Sequence, residues 1–251
     1  MIKYLTILFA VFIATMEPLM AQQEVPGLKE AGTVLEMLGT EYKIHPVSFG
    51  VTYTYSNEHT PDELLDSVKG KIEMNGDNYR CLLDSTETIH NDKYSIVLFK
   101  EDKLMYLSGP GPASVNENPL SLMQSMLEKA GATACKISSV KSYKIIHIDF
   151  SAEAACKQIE MTIDTVSKRL LSMQYLIKTE LLTGTDGETA KNAAKGYDAF
   201  ALVRVSFYNY QYIQPGSNRF DDRSFFYKEA TEFKTTPAYS DYKIFVGTPN
   251  L

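Results

Sequence analysis

The sequence predicts a mainly β protein in which about 11 antiparallel strands form one strongly curved sheet, an unclosed β-barrel. Short segments in which apolar and polar residues alternate recur along the chain, and turn-forming residues separate them. Two other segments, one near the N-terminus and one near the middle, have apolar residues at helical spacing. Open twisted sheets rarely exceed about ten strands, so a sheet of this size must curl or close.

Residues 1–21 have the pattern of a secretory signal peptide. An apolar run over residues 4–14 follows a lysine, and the small residue Ala21 precedes a polar segment. The run is shorter than the roughly 20 apolar residues that a membrane-spanning helix needs. We therefore expect export, cleavage after Ala21 and one mature domain over 22–251. Because Gln22, and not a cysteine, follows the cleavage site, no acyl anchor is expected.

The charge and the histidines argue against two classes of partner. The chain has 31 acidic and 25 basic residues, and its basic residues do not form a cluster. Nucleic-acid-binding surfaces usually need such a cluster, so nucleic acid is not an expected partner. The four histidines occur singly, without the close His, Cys and carboxylate spacing of a zinc site. No metal or other cofactor is expected.

The three cysteines, Cys81, Cys135 and Cys156, allow at most one intramolecular disulfide after export. Two outcomes are open, because all three can be buried as small apolar residues or one pair can form a bridge. For a bridge we expect the pair Cys135 and Cys156. Both border the same hairpin in the second half of the chain, whereas Cys81 lies in the first half.

The first helix is predicted over LKEAGTVLEML and extends to Tyr42. Its apolar residues recur at helical spacing, while charged residues occupy the other side. The residue before a proline is disfavoured in the α region, so the helix is expected to end at His45-Pro46. The apolar positions are Leu28, Ala31, Val34, Leu35, Leu38 and Tyr42.

The predicted strands fall into two groups. In the first, SFGVTYTYS places Phe49, Val51 and Tyr53 on one face, and DSVKGKIEMNG, DNYRCLLD, SIVLFK and KLMYLS continue a meander of hairpins. The second group consists of CKISSVKSYKIIHIDF, CKQIEMTID, RLLSMQYLIKTELLT and FALVRVSFYNYQYI. Near the C-terminus, FFYKEATEF and DYKIFVG are predicted as further edge strands.

Between the two groups, NPLSLMQSMLEKAG over 118–131 predicts a helix with one apolar face. Asn118 is expected to cap its start, Pro119 to take the first helical position, and Gly131 to take the left-handed conformation after its end. The face can fill the core, or it can be a lid over a ligand, which the two methionines and the Gly/Pro-rich loop before it favour. It consists of Leu120, Leu122, Met123, Met126, Leu127 and Ala130.

Most of the mature sequence resembles the outer-membrane lipoprotein carrier family, which has the LolA-like fold. The resemblance rests on LKEAGTVLEML, GKIEMNGDNYRCLL, TETIHNDKYSIVLF, the predicted lid helix and YKIIHIDFSAEAACKQIEMTID. Carriers commonly have Arg-Pro before the second strand's aromatic, where the arginine holds the lid closed. This chain has Asn75-Gly76 before Tyr79, so that latch is not carried over. Asn91-Asp92-Lys93 keeps the chemistry of the family's Ser-Asp-Gly turn but lacks the glycine.

The resemblance implies a periplasmic carrier without enzymatic activity, which holds the acyl chains of a lipid or lipoprotein between the curved sheet and the lid. It also implies inner- and outer-membrane envelope proteins that load and unload the carrier. A monomer is expected. The side chains expected to line the cavity are Leu104, Tyr106, Leu120, Met123, Met126 and Leu127, with Phe49, Val51 and Tyr53 on the first strand.

Two other classes of function remain open. A structural or assembly component of the cell envelope would have a filled core and act through exposed edge strands. An exported hydrolase would need a nucleophile, for which the sequence offers two weak candidates. Ser138 and Lys141 match an S-x-x-K motif but lie on strand-like sequence, and Cys156 with His147 is the second pair.

We expect N-terminal sequencing of the exported protein to begin at Gln22. The apolar run is long enough to direct export, and Ala21 is the small residue that a signal peptidase needs at the boundary. A chain that still begins with Met1 after export would contradict the signal peptide.

Overall fold

The computed structural model describes residues 25–109, 131–183, 196–214, 218–248 and 251. The helices are α1 (Leu28–Ile44) and α2 (Glu180–Thr183). Three short 3₁₀ turns are Asn218–Phe220, Asp222–Ser224 and Pro237–Tyr239. The strands are β1 (Val47–Asn57), β2 (Asp66–Asn75), β3 (Asn78–Leu83), β4 (Thr86–His90), β5 (Ser95–Phe99), β6 (Leu104–Ser108), β7 (Ala132–Val140), β8 (Tyr143–Phe150), β9 (Cys156–Asp164), β10 (Arg169–Lys178), β11 (Phe200–Tyr212), β12 (Phe226–Glu229), β13 (Glu232–Thr235) and β14 (Lys243–Val246).

Twelve of these strands form one sheet, in the order β14-β6-β5-β4-β3-β2-β1-β11-β10-β9-β8-β7. Neighbours are antiparallel except β14, which pairs in parallel with β6. The predicted architecture is confirmed, because the sheet is strongly curved and unclosed and carries an N-terminal helix. β14 is an edge strand as predicted, whereas β12 and β13 form a separate two-stranded hairpin and do not join the main sheet.

The two faces of the sheet differ in polarity, because side chains alternate between them along each strand. On β1, Phe49, Val51 and Tyr53 belong to the same buried cluster as the apolar residues of α1, and we call this side the helix face. Thr52 and Thr54 point to the opposite side, which we call the outer face, and their partners on β11 are polar too. The sheet is therefore apolar on one side over most of its width.

α1 lies on the helix face with the spacing that the sequence predicts. Its first residue follows Gly27, which has φ 86° and whose Cβ, if present, would lie 3.1 Å from the carbonyl oxygen of Cys135 on β7. Glycine therefore permits both the left-handed backbone and the close approach of the helix start to the sheet edge. The helix ends at Ile44, before His45, as predicted. Its buried residues are Ala31, Val34, Leu35, Leu38 and Tyr42.

A ring of three hydrogen bonds joins the end of α1 to β10 and β11. The Leu170 N–H donates to the Tyr42 hydroxyl (3.4 Å), which donates to the Tyr210 hydroxyl (3.3 Å), which donates to the Leu170 carbonyl (2.6 Å). Phe49 stacks on Tyr210 with ring centroids 4.9 Å apart. Burial raises the pKa of both tyrosines, so they remain protonated donors. The ring gives two hydroxyls in the core the partners that buried polar groups need.

The C-terminal segment from residue 218 covers the outer face of β4, β5 and β6. A second buried cluster forms there, separate from the core under α1. The sheet is thus covered on one face near α1 and on the other face at β4 to β6. The buried members of this cluster are Ile89, Ile96, Leu98, Met105, Leu107, Phe225 and Phe226.

Asn91 connects the turn between β4 and β5 to this C-terminal segment. Its side-chain oxygen accepts hydrogen bonds from the N–H groups of Lys93 and Tyr94, which confirms the turn chemistry expected at this position. Its side-chain nitrogen donates to the Phe220 carbonyl (2.9 Å) and to Asp222 Oδ1 (3.2 Å). One buried amide therefore fixes both the hairpin and the covering segment.

Strand β10 ends at Lys178, earlier than the strand predicted through Thr183. The Thr179 N–H donates to the carbonyl of Ala199, and the Leu182 N–H donates to the carbonyl of Thr179. The chain therefore leaves the sheet in the helical turn α2, where Leu182 packs against the core. In the sequence, Leu181 and Leu182 continue the apolar run of β10, so the strand was predicted to extend through this turn.

We expect Tyr42→Phe to lower the free energy of unfolding by about 1 to 3 kcal/mol, because the Leu170 N–H loses its acceptor inside the core. Urea unfolding measures the difference. Tyr212→Phe is the matched control, because Tyr212 is exposed and the change should leave stability unaltered. Equal stability of the two variants would show that the hydrogen-bond ring does not hold α1 in place.

Candidate ligand-binding face

α1 is too small to cover the whole helix face. Twelve strands about 4.8 Å apart span roughly 53 Å along the sheet. A helix of 17 residues is about 25 Å long and about 10 Å wide. The cluster that buries α1 draws its described residues from β1 to β3 and from β7 to β11. The helix face of β4, β5, β6 and β14 therefore lies beyond α1.

Five apolar side chains occupy that part of the helix face, and we call them the apolar ladder. Two are half-buried and three are substantially exposed, with 40% of Phe99, 41% of Tyr106 and 52% of Phe245 accessible to solvent. Strand pairing brings them together, because Tyr106 lies opposite Val97 on one side and Phe245 on the other, and Phe99 lies opposite Leu104. A contiguous apolar surface of this kind usually marks a binding site. The ladder consists of Val97, Phe99, Leu104, Tyr106 and Phe245.

A glycine on the neighbouring strand permits the position of the Tyr106 ring. A Cβ on Gly247 would lie 1.7 Å from the Tyr106 hydroxyl oxygen and 2.1 Å from its ring, closer than any real contact allows. The absence of a side chain at Gly247 therefore lets the Tyr106 ring lie across the end of β14. The Gly247 N–H also donates to the Leu107 carbonyl, which extends the pairing of this edge beyond β14 itself.

Three tyrosines on β1 and β10 add polar groups to the helix face. Burial raises the pKa of Tyr53, Tyr55 and Tyr175, and the pKa of Tyr175 is raised further by Tyr53 and Tyr55 nearby. All three stay neutral at any physiological pH. Tyr53 and Tyr175 are buried in the core, so only Tyr55 is partly exposed, and it lies on β1, four strands away from β5 and the apolar ladder.

The residues predicted to line a cavity fall into three sets. Leu104 and Tyr106 lie in the apolar ladder, as a lining role requires. Phe49 and Val51 are buried in the core with α1, and Tyr53 is buried on the helix face, so these three have little exposed area. The predicted lid residues Leu120, Met123, Met126 and Leu127 lie outside the described residues. Gly131, expected to follow the lid helix in the left-handed conformation, has φ 64°.

The predicted bridge between Cys135 and Cys156 is wrong for this structure, in which the two thiols are not joined. Cys135 is on β7 and Cys156 begins β9, with β8 between them. Two strand spacings amount to about 9.6 Å, more than the roughly 7 Å that a disulfide can span between Cα atoms. Cys156 is instead a buried core residue, and burial raises the pKa of its thiol to about 11.

The two candidate nucleophiles have no catalytic arrangement. Ser138 lies on β7 and Lys141 lies in the turn that follows, so the motif is on a strand and not at a helix start. Cys156 is buried under the helix face, whereas His147 lies on the outer face beside Asp149 and Glu160. The described residues contain no group of three or more metal-ligating side chains that could hold an ion.

Sequence reasoning missed three members of the apolar ladder, namely Val97, Phe99 and Phe245. Val97 and Phe99 were visible as alternate residues of the predicted strand SIVLFK, and that alternation could have identified them. Phe245 had no such signal, because its position depends on the parallel pairing of β14 with β6, more than 130 residues earlier in the chain. Non-local pairing of this kind leaves no local pattern.

Among the described residues, no helix is both long and apolar enough to cross a bilayer. No family model matches the sequence, and no curated protein is significantly similar to it.

Several solved structures are similar to this chain in fold. An uncharacterized conserved protein from Thermus thermophilus has a TM-score of 0.47 and 9% identity, covering 86% of this chain and 99% of that chain. A LolA superfamily protein from Nitrosomonas europaea has a TM-score of 0.34 and 10% identity, covering 77% and 98%. The MucA/MucB complex of Pseudomonas aeruginosa has a TM-score of 0.41 and 11% identity, covering 76% and 60%. These are similarities of fold, and the function proposed below rests on residues of this chain.

Proposed function

We propose that this protein is an exported, non-enzymatic binding protein that holds the acyl chains of a lipid or lipoprotein on its helix face. The observation that supports the proposal is the apolar ladder, where three large side chains stay exposed on a face that is otherwise core. Burying an acyl chain against them removes apolar surface of both partners from water. Each buried methylene contributes about 0.8 kcal/mol, so a long chain binds far more strongly than a short one.

The groups around the ladder fit an amphipathic ligand. Lys243 lies opposite Leu104 on β14, at the edge of the ladder, where a cation can meet a carboxylate or phosphate that remains in water. A ligand with an apolar chain and a polar head therefore has partners for both parts.

We also propose the location, the lid and the partners that the sequence predicts. The ligand is held in the periplasm by a monomer, the helix predicted over 118–131 acts as a lid, and envelope proteins load and unload the carrier. The predicted lid residues lie outside the described part of the chain, and the apolar ladder does not include them. A covered ladder would shield the acyl chain from water during transfer.

A second candidate function, a component of envelope assembly, is favoured by the edge strand β7. Within the described residues β7 pairs with β8 on one side only, and most of its side chains are exposed. A partner chain can add a strand to such an edge through main-chain hydrogen bonds. This function needs no lipid, so the two candidates separate by whether lipid is bound.

The test is a fluorescence titration of the mature protein with a long-chain polyene fatty acid. We expect the double variant Phe99→Asp and Phe245→Asp to bind at least about tenfold more weakly, because two exposed aromatics that would contact the chain are replaced by carboxylates. Its melting temperature should stay close to that of the wild type, since neither side chain is in the core.

Tyr227→Asp is the matched control, because Tyr227 is an aromatic of similar exposure, 48%, on the separate hairpin of β12 and β13. It should bind the fatty acid as the wild type does. Wild-type protein that binds no fatty acid, or equal weakening in both variants, would contradict acyl-chain binding at the ladder. Native mass spectrometry of detergent-free protein that shows no co-purified lipid would favour the assembly function.

A further inference from the structure

A small pocket on the outer face lies where β2 and β3 meet the C-terminal segment. Its volume is about 220 Å³, below the roughly 300 to 1,000 Å³ of pockets for drug-sized ligands, so it suits a small group. One of the residues that line it, Arg219, comes from the first 3₁₀ turn, and the others come from β2 to β4 and the end of β5. The lining residues are Lys71, Glu73, Arg80, Leu82, Glu87, Lys100 and Arg219.

Two buried carboxylates form the base of the pocket. The side chain of Glu73 is 5% exposed, and its Oε1 accepts from Lys71 Nζ at 2.8 Å and from Arg219 Nη1 at 2.5 Å. The side chain of Glu87 is 3% exposed, and it accepts from Arg80 Nε through Oε1 and from Lys100 Nζ at 2.6 Å through Oε2. Each carboxylate is therefore held by one arginine and one lysine.

Four cations thus surround two carboxylates, which leaves two positive charges in excess. The cations are 32 to 51% exposed, so they line the opening while the carboxylates lie beneath. A guanidinium has five N–H donors in a planar fork and an ammonium has three, more than the ion pairs of this cluster use. Clefts lined by excess charge of one sign concentrate ions of the opposite sign.

A purely structural role accounts for only two of the four cations, Arg80 and Arg219. Arg219 paired with Glu73 joins the C-terminal segment to the sheet, and Arg80 paired with Glu87 joins β3 to β4. One cation for each buried carboxylate would already make the cluster neutral. Lys71 and Lys100 add a second cation to each carboxylate, and an anion that enters the pocket would reduce the repulsion among the four cations.

We propose that this pocket binds an oxyanion of the phosphate class, either a free ion or the phosphate group of a larger molecule. Arginine forks match the paired oxygens of phosphate, and the two lysines supply the charge that such a dianion requires. Tyr239 lies near the same cluster, where burial and the nearby Glu87 raise its pKa and keep it a neutral donor. The pocket is on the opposite face from the apolar ladder and does not depend on acyl-chain binding.

The test is isothermal titration calorimetry of the mature protein with inorganic phosphate at constant ionic strength, which removes general salt effects. We expect saturable binding to the wild type. The double variant Lys71→Met and Lys100→Met should bind at least about tenfold more weakly, because the excess charge is gone while each carboxylate keeps its arginine. Lys29→Met with Lys136→Met is the matched control, since both lysines are exposed and lie away from the pocket, on α1 and on β7.

Two further probes identify the source of the phosphate. If dihexanoyl phosphatidic acid binds at least about tenfold more tightly than inorganic phosphate, and the pocket variant loses that binding, the ligand is a lipid head group. Equal affinities identify the free ion. Dihexanoylglycerol, which lacks phosphate, reports binding at the ladder alone. The ladder variant Phe99→Asp with Phe245→Asp should leave inorganic phosphate binding unchanged, so failure of one proposal does not imply failure of the other.

The proposal is overturned if inorganic phosphate and phosphatidic acid both fail to bind, or if the pocket variant binds as the wild type does. Should the pocket variant not fold, an NMR titration of the wild type decides. Phosphate should shift the backbone amide signals of Glu73, Arg80 and Leu82 and leave those of Val97 and Phe245 in place. Shifts confined to residues outside the pocket would contradict the assignment.

Discussion

The fold depends on how the apolar face of a wide sheet is shielded from water. A sheet of twelve strands has one largely apolar face, and apolar surface left in water is unfavourable in proportion to its area. In the described part of the chain the one long helix, α1, has 17 residues and covers only the part of that face formed by β1 to β3 and β7 to β11. It is fixed at its start by Gly27 against β7 and at its end by the hydrogen-bond ring through Tyr42. The helix face of β4, β5, β6 and β14 is not covered by α1.

The C-terminal segment covers part of the opposite face of the sheet. It buries the outer face of β4 to β6, so these strands have a core of their own and do not depend on α1. Their helix face is therefore free to stay open without loss of the fold, and it is there that the apolar ladder lies. The core that stabilises these strands and the proposed ligand-binding surface thus lie on opposite faces of the sheet. The charged pocket lies on the outer face, at the border between its exposed polar part and the part that the C-terminal segment covers.

The sequence was sufficient to predict the fold class, α1 and its end at His45, and nearly all strands, because these depend on alternation, helical spacing and turn residues that lie close together in the chain. It did not predict that β14 pairs with β6, or that the C-terminal hairpin would cover the outer face, because both depend on contacts between distant segments. Of the residues predicted to line a cavity, Leu104 and Tyr106 lie in the apolar ladder, whereas Phe49 and Val51 are buried in the core with α1. Burial by a distant helix has no local signature.

The most direct test of this account is paramagnetic relaxation enhancement in solution, with a fatty acid that carries a nitroxide label at the end of its acyl chain. Because the chain is expected to lie on the apolar ladder, the amide signals of Val97, Tyr106 and Phe245 should be the most strongly broadened. Those of Glu160 and Arg204, on β9 and β11, should keep their intensity, because these strands are at least five strand spacings, about 24 Å, from β5. Broadening centred on β9 to β11, or none at a concentration that saturates the protein, would contradict the account.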